Sequence, residues 1–320
     1  MTLIEIMVAM VLGIFLLGGI MQIFLASKQT YRMQENLSRM QENGRFAMGF
    51  LTKDIRMADY MGCLRTGLGN MTNKLDSTDA DYDVTLHSFT GLNGIGGTNG
   101  AAGANLALDS PDSIILKGAY DVGIRVVEPY MINTAANIKV STSDGLALYD
   151  IVLVSDCSSS DVFEITTDPT TGAGAEVVVH NGGNVAEGPG NSDQLLSKTY
   201  KGDASIFKFQ TYIYTVQNNA LTKQDLSETN ELVEGIANMQ ILYGSDTSGD
   251  STADHYVTAN LVPDMSQVVS IRVSLLVVST DDNLTSEPRA YTYNGVTTTP
   301  ADRRLRRVFS STIAIRNRLP

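Results

Sequence analysis

The sequence predicts an α+β fold, in which one very long N-terminal helix lies by its second half against an antiparallel β-sheet head. Three observations carry this. Residues 6–26 contain no charged side chain and only one strongly polar one, Gln22. The next thirty or so residues remain helical in pattern but become amphipathic. Beyond Gly62 the pattern changes to short runs that alternate apolar and polar residues, separated by Gly, Ser, Thr, Asp and Asn. A helix followed by a run of strands gives an α+β head with the helix covering one sheet face.

The apolar stretch is long enough to span a hydrocarbon core of about 30 Å as a helix. A cleavable signal peptide fits it poorly, because no Lys or Arg precedes Lys28 and the run passes unbroken into the amphipathic segment. An ordinary membrane anchor explains the hydrophobicity but not Glu5, since a carboxylate in apolar surroundings costs about 2–4 kcal/mol and usually has a partner. Near a helix start it gains from the N-terminal dipole, and the nearest conceivable cation is an α-amino group, its own or that of a neighbouring copy.

The amphipathic segment repeats Arg32-Met33-Gln34-Glu35-Asn36 seven residues later as Arg39-Met40-Gln41-Glu42-Asn43. Two heptads are too few to argue a coiled coil. The apolar positions Tyr31, Met33, Leu37, Met40, Phe46, Met48, Phe50, Leu51 and Ile55 instead read as a stripe packed on the chain's own head. A helix of about 55 residues would be about 80 Å long and is expected to stop near Tyr60–Cys63, with Gly62 as its C-terminal stop. This divides the chain into 1–26 as a transmembrane or filament-core helix, 27–62 as the amphipathic continuation and 63–320 as the β-rich head. Strands are expected at 83–89, 113–117, 123–128, 146–155, 162–166, 175–180, 206–216, 239–243, 268–279 and 307–316. The Gly-rich stretches 91–103 and 172–190 read as surface loops.

Composition narrows the function. The chain of 320 residues has a formal net charge of −12 and no Lys/Arg-rich run, so direct nucleic-acid binding is not expected. Cys63 and Cys157 have no metal-ligand spacing. They read either as a disulfide of an oxidising compartment, contributing about 4–5 kcal/mol in the chain-entropy model, or as two free buried thiols. His87, His180 and His255 are scattered without partners at ligand spacing, and no nucleophile elbow, P-loop or HExxH occurs. Nothing supports an enzyme. Asp246, Ser248, Asp250 and Asp254 stand at positions 1, 3, 5 and 9 of a calcium-type loop. Ser251 replaces the usual Gly there and Val257 the usual Glu, so a possible Ca²⁺ site competes with a plain acidic turn. Arg303, Arg304, Arg306 and Arg307 read as partners for acidic neighbours or as charges guarding a strand edge.

Thr2-Leu3-Ile4-Glu5 followed by the apolar helix resembles the mature N-terminus of type IV pilins and type II secretion pseudopilins. The resemblance continues toward a PilW-type minor pilin. It is carried by Met57-Ala58-Asp59-Tyr60-Met61-Gly62-Cys63, by Leu153-Val154-Ser155-Asp156-Cys157, by Val233-Glu234-Gly235-Ile236 leading to Gln240–Gly244, and by the Arg-rich tail to Leu319. It implies that prepilin peptidase cleaves before Met1 and methylates it, although Phe is commoner at that position. It implies that Glu5 pairs with the N-terminal amine of an adjacent subunit, and it supports a Cys63–Cys157 bridge. Many major pilins carry Pro where this chain has Gln22, so any local melting would fall to Gly13, Gly18 and Gly19.

The implied function is a non-enzymatic type IV pilus subunit, a minor pilin of the initiation or tip complex. The alternatives are the main subunit of its own filament or a secretion pseudopilin. Implied partners are other pilin subunits, the assembly platform and a tip adhesin. The chain would sit in the inner membrane with its head in the periplasm before assembly, and in an extracellular pilus afterwards.

Overall fold

The computed structural model describes residues 3–64, 70–88, 95–100, 110–171, 176–183, 185–226 and 228–319. Helix α1 runs Leu3–Met57 without a break. Its buried residues Asn36, Met40, Gly44, Ala47, Leu51 and Ile55 recur every three or four positions, the period that puts them on one face. That face lies on the head, and Gly44 allows the closest approach: a Cβ there would stand 2.5 Å from the Phe309 ring.

After α1 come β1 (Asn70–Asn73), α2 (Val84–His87), β2 (Ile95–Thr98), β3 (Ser113–Arg125) and β4 (Ile138–Lys139). The chain continues through β5 (Ile151–Ser155), β6 (Ser159–Glu164), β7 (Val177–Val178), β8 (Ser205–Gln217), β9 (Ala220–Gln224) and β10 (Thr229–Glu234). It ends with β11 (Ile236–Ser245), β12 (His255–Val257), β13 (Val268–Val278), β14 (Tyr291–Tyr293), β15 (Val296–Thr298) and β16 (Arg306–Ala314). Two main sheets result. One runs β1-β6-β5-β8-β3-β2, with β9 on the far part of β8 and β10 on β9; the other is β12-β11-β13-β16. Two short hairpin-like pairs, β14-β15 and β4-β7, complete the strands.

Three cores fill this frame. The first brings the α1 stripe against β11, β13 and Ile313 of β16, and takes in Ile114 and Leu116 of β3 and Tyr214 of β8. The helix therefore covers the junction of the two sheets. The other two lie on opposite faces of the larger sheet, as the period of two along a strand requires. In β5, Val152 and Val154 enter one core while Ile151 and Leu153 enter the other.

Several expectations change. The head is not one antiparallel sheet: it has two main sheets, and β1 pairs with β6 in parallel. The stretch 83–89, expected as a strand, holds helix α2 instead. Asp83 caps it, its side chain accepting the amides of Thr85 and Leu86, a local bond that competes with strand pairing. The two strands expected over 113–128 are one, carried past an irregularity between Asp121 and Ile124 where Gly123 takes φ +75°. Strand β5 starts later than expected because Tyr149 turns the chain at φ +69°. Part of the Gly-rich stretch 91–103 is strand β2, whose Gly97 lies where a side chain would collide with the Tyr243 hydroxyl.

The helix also stops earlier than expected, at Met57, and the first left-handed residue is Asp59 (φ 63°) rather than Gly62. A Cβ-bearing residue is held there by its partners. The Arg318 Nε donates to Asp59 Oδ2 at 2.7 Å, with side-chain exposures of 3% and 0%. Asn317 Nδ2 donates to the carbonyls of Met57 and Ala58 at 3.2 and 3.0 Å, filling acceptors that a helix end leaves open. Arg318 Nη1 donates to the Met265 and Val268 carbonyls. The C-terminal tail thus caps the N-terminal helix.

Removing Arg318 takes the ion-pair partner away from the carboxylate of the fully buried Asp59. Arg318→Ala is expected to cost about 3–5 kcal/mol. Arg32→Ala breaks only an exposed pair with Asp281 at 3.2 Å and is expected to cost no more than about 1 kcal/mol. Urea unfolding of the full chain in detergent, followed by tyrosine fluorescence, measures both; equal losses would contradict the assignment.

Candidate functional site

The first half of α1 has no cover. Leu3, Ile4, Phe15, Ile23 and the other large apolar side chains up to Leu25 are exposed, and α1 is the one helix among the described residues long and apolar enough to cross a membrane. Glu5 lies in its first turn, where backbone amides favour a negative charge. Met1 lies outside the described residues. At Gly13, Gly18 and Gly19 the helix is continuous, and a Cβ at any of them would meet nothing within 4 Å. No packing within the chain requires these glycines.

The second half is fastened by polar contacts as well as by its apolar stripe. The repeated heptad supplies two of them: Asn36 Nδ2 donates to Asp281 Oδ2 at 3.2 Å, and Asn43 Nδ2 to the Glu234 carbonyl at 3.0 Å. Further along, Asp54 accepts from Lys223 Nζ at 2.9 Å and from the Tyr214 hydroxyl at 2.6 Å. Burial first, and then the Asp54 charge, push the Tyr214 phenol well above its ordinary range.

Cys63 follows the helix end, and Cys157 sits in the turn between β5 and β6. They form a disulfide with Cα atoms 4.7 Å apart. It ties the helix end to the larger sheet as Arg318 ties it to the smaller one. The loop it closes spans 94 residues, for which the chain-entropy model gives about 4–5 kcal/mol.

Asp246, Ser248, Asp250 and Asp254 lie together in the loop between β11 and β12, their oxygens engaged with the loop itself. Asp246 Oδ1 accepts from Gly249 N at 2.6 Å and Ser248 Oγ at 3.2 Å, and its Oδ2 accepts from Ser251 N at 2.7 Å. Asp254 Oδ2 accepts from both the amide and the hydroxyl of Thr247. These bonds hold the Asp246 and Asp254 carboxyls below the ordinary range. Among the described residues no group of three or more His, Cys, Asp or Glu is placed to hold a metal ion.

The histidines do not converge. His180 is buried against Phe163, and Nε2 lies 3.2 Å from the Ala136 carbonyl. His87 is buried beside Tyr82, and His255 is exposed on β12. The arginine cluster is divided. Arg306 forms a two-pronged pair with Asp302 at 2.7 Å through both terminal nitrogens, which holds the Asp302 carboxyl down at about 2. Arg307 lies over the Phe309 ring. Both flank β16, an edge strand of the smaller sheet.

Buried acids went unseen in the sequence. Asp161 accepts from Ser197 and from the Tyr200 hydroxyl. Glu164 is fully buried; its Oε2 accepts the Gly190 amide at 2.9 Å, while Oε1 has no hydrogen-bond partner among the described residues. Burial is the main cause that lifts its carboxyl to about 7, and the charges of Asp79 and Asp81 add to this against the Gly190 bond. No spacing marks such a residue in advance, since its burial depends on β6 lying inside the sheet.

The uncovered apolar half-helix and the half docked on β-sheets define a class: a β-rich body carried on an N-terminal helix fit for membrane anchoring. Residues 185–317 match the family model PilW, described as Type IV Pilus-assembly protein W, a match consistent with a PilW-type pilus protein. The match covers β8 to β16 and most of the tail, leaving α1 and both cysteines outside it. Searches of curated proteins and of solved structures return no match.

The folded state favours the protonated Glu164, whose ordinary value is 4.5. Its contribution to stability is complete below about pH 4.5 and is lost as pH rises through about 7. Glu164→Gln is expected to remove this loss, so the variant gains on the parent between pH 5 and pH 8 by chemical unfolding. Parallel pH profiles for the two proteins would contradict the assignment.

Proposed function

We propose that this chain is a non-enzymatic structural subunit of a type IV pilus, a minor pilin of the initiation or tip complex. The observation that carries the reading is the asymmetry of α1. Its second half is fastened to the head by an apolar stripe and by Asn36, Asn43, Asp54 and the Arg318 clasp. Its first half exposes a continuous apolar surface. Water does not tolerate such a surface, so it is stored in a bilayer and later covered by other helices. The PilW match supports a type IV pilus as that setting.

In this reading the chain waits in the inner membrane with its head in the periplasm. It is processed at Met1 by prepilin peptidase and taken up by the assembly platform. It then joins other pilin subunits, with a tip adhesin beyond them, in the extracellular fibre. Glu5 gives the docking step its direction: in apolar surroundings its carboxylate is matched by the N-terminal amine of the neighbouring subunit. The oxidising compartment agrees with the Cys63–Cys157 bridge.

Glu5→Ala is expected to leave membrane insertion intact and to lower incorporation into sheared fibres by about tenfold or more, as loss of a charge pair in low dielectric would. Quantitative mass spectrometry of the fibres measures this. It also gives the copy number, which is low for a minor pilin and dominant for a main subunit. Normal incorporation of the variant would overturn the role of Glu5.

Calcium at the β11–β12 loop is a separate proposal, with Asp246, Ser248, Asp250 and Asp254 as ligands. The ion would have to displace the amide bonds that Asp246 and Asp254 now accept. Calorimetric titration with calcium is expected to give heat that Asp250→Ala abolishes; no heat in the parent protein would end the proposal.

A further inference from the structure

A cavity of about 490 Å³ opens between β3, β5, β8 and the turn at 187–189, within the range of small-molecule sites. Its lining includes the buried side chains of Phe209 and Ile151. Tyr120 and Tyr149 stand at its sides. Tyr149 is held there by a left-handed backbone, φ +69°. A bulky residue rarely adopts that conformation, and such strain persists only where surrounding structure imposes it.

The polar groups are arranged for a ligand with both donors and acceptors. His87 is only 7% exposed yet lines the cavity. Its Nδ1 accepts the Asp83 amide at 2.9 Å, so in the neutral ring the proton is on Nε2. Burial first, then the Lys117 charge, hold the ring below the ordinary imidazole range despite Asp83, and Nε2 has no hydrogen-bond partner among the described residues. A buried imidazole whose N–H donor is unengaged among the described residues thus lines the cavity. Asp150, also on the lining, binds both Lys208 and the Ala147 amide through Oδ2, each at 2.7 Å, which leaves the Oδ1 lone pairs able to accept. Glu187, exposed at the rim, adds a second carboxylate.

We infer that this cavity is a binding site for a neutral saccharide unit. A sugar ring has an apolar C–H face that packs on an aromatic side chain and a rim of hydroxyls that both donate and accept. Carboxylates can only accept and an imidazole N–H can only donate, which is the complement such hydroxyls need. The tyrosines supply flat amphipathic surface at low entropic cost. Anions are disfavoured, because the carboxylates of Asp150, Glu187 and Asp225 border the cavity and Lys208, its one lysine, is already paired with Asp150. A basic peptide is the competing occupant: it would satisfy the carboxylates but leave the His87 donor unmatched.

The test uses the full disulfide-bonded chain in a detergent without a sugar headgroup. Saturation-transfer NMR is recorded with galactose, glucose, mannose, N-acetylglucosamine and lactose at millimolar concentration, and separately with trilysine. At least one sugar is expected to bind. Glu187→Gln, a surface change that keeps the fold, and Tyr149→Ala are each expected to weaken that sugar by about tenfold. Thermal unfolding of Glu187→Gln confirms that the fold is unchanged. No transfer from any sugar, sugar binding unaltered in both variants, or trilysine binding in place of sugar would overturn the inference.

Discussion

The ion pair between Asp59 and Arg318 sits where water does not reach, and it joins residues near opposite ends of the chain. Its geometry depends on everything between them. Asp59 is placed by the end of α1, and Arg318 by β16 and the short helical turn Arg316–Arg318 that follows it. Arg318 also holds the Met265 and Val268 carbonyls at the start of β13. A buried pair of this kind contributes little net free energy over an apolar replacement, but it tolerates no misplacement. Its value is as a register mark: the helix can slide along the head only by breaking it. The disulfide does the same on the other sheet, so the helix end is fixed to both sheets within a few residues.

With that end fixed, the apolar stripe determines how the sheets meet. Met40, Ala47, Leu51 and Ile55 lie over residues from β3, β8, β11 and β13 together, so the helix is the third wall of a core that neither sheet closes alone. Gly44 lets Phe309 come in under it. The larger sheet has further cores of its own, which leaves the loops around Glu164 and the cavity beside β5 free to differ without disturbing the helix seat.

How much of this was legible in the sequence follows from how local each signal is. The helix, its apolar half and its docked stripe were readable because a period of 3.6 repeats over many turns. The long strands β8, β11, β13 and β16 were readable from alternation and β-branched content. Short polar strands such as β1, β10 and β12 were missed, since three to five paired residues of mostly polar type leave no pattern. The stretch 83–89 was misread because alternation does not reveal that Asp83 will take the amides of Thr85 and Leu86. Glu5 and the two cysteines stood out through rarity in their surroundings. Asp59, Asn317, Arg318, Glu164 and His87 did not, because their roles come from partners or burial that only the folded chain supplies. The duplicated Arg-Met-Gln-Glu-Asn heptad is a middle case. It was visible but unexplained until Asn36 and Asn43 were seen to grip the head about two turns apart.

The capping of α1 by the C-terminal tail also sets how the molecule carries a pull. Phe309 lies beside Gly44 and Asn317 beside Met57, so the last strand runs alongside the helix in the same direction. Tension applied at the apolar end of the helix is therefore transferred along the length of β16 and its ladder to β13. The ladder is loaded lengthwise, many hydrogen bonds at once, instead of being peeled open from one end. The tail closes this load path at the helix end, and the disulfide from Cys63 to the β5–β6 turn passes part of the load to the larger sheet.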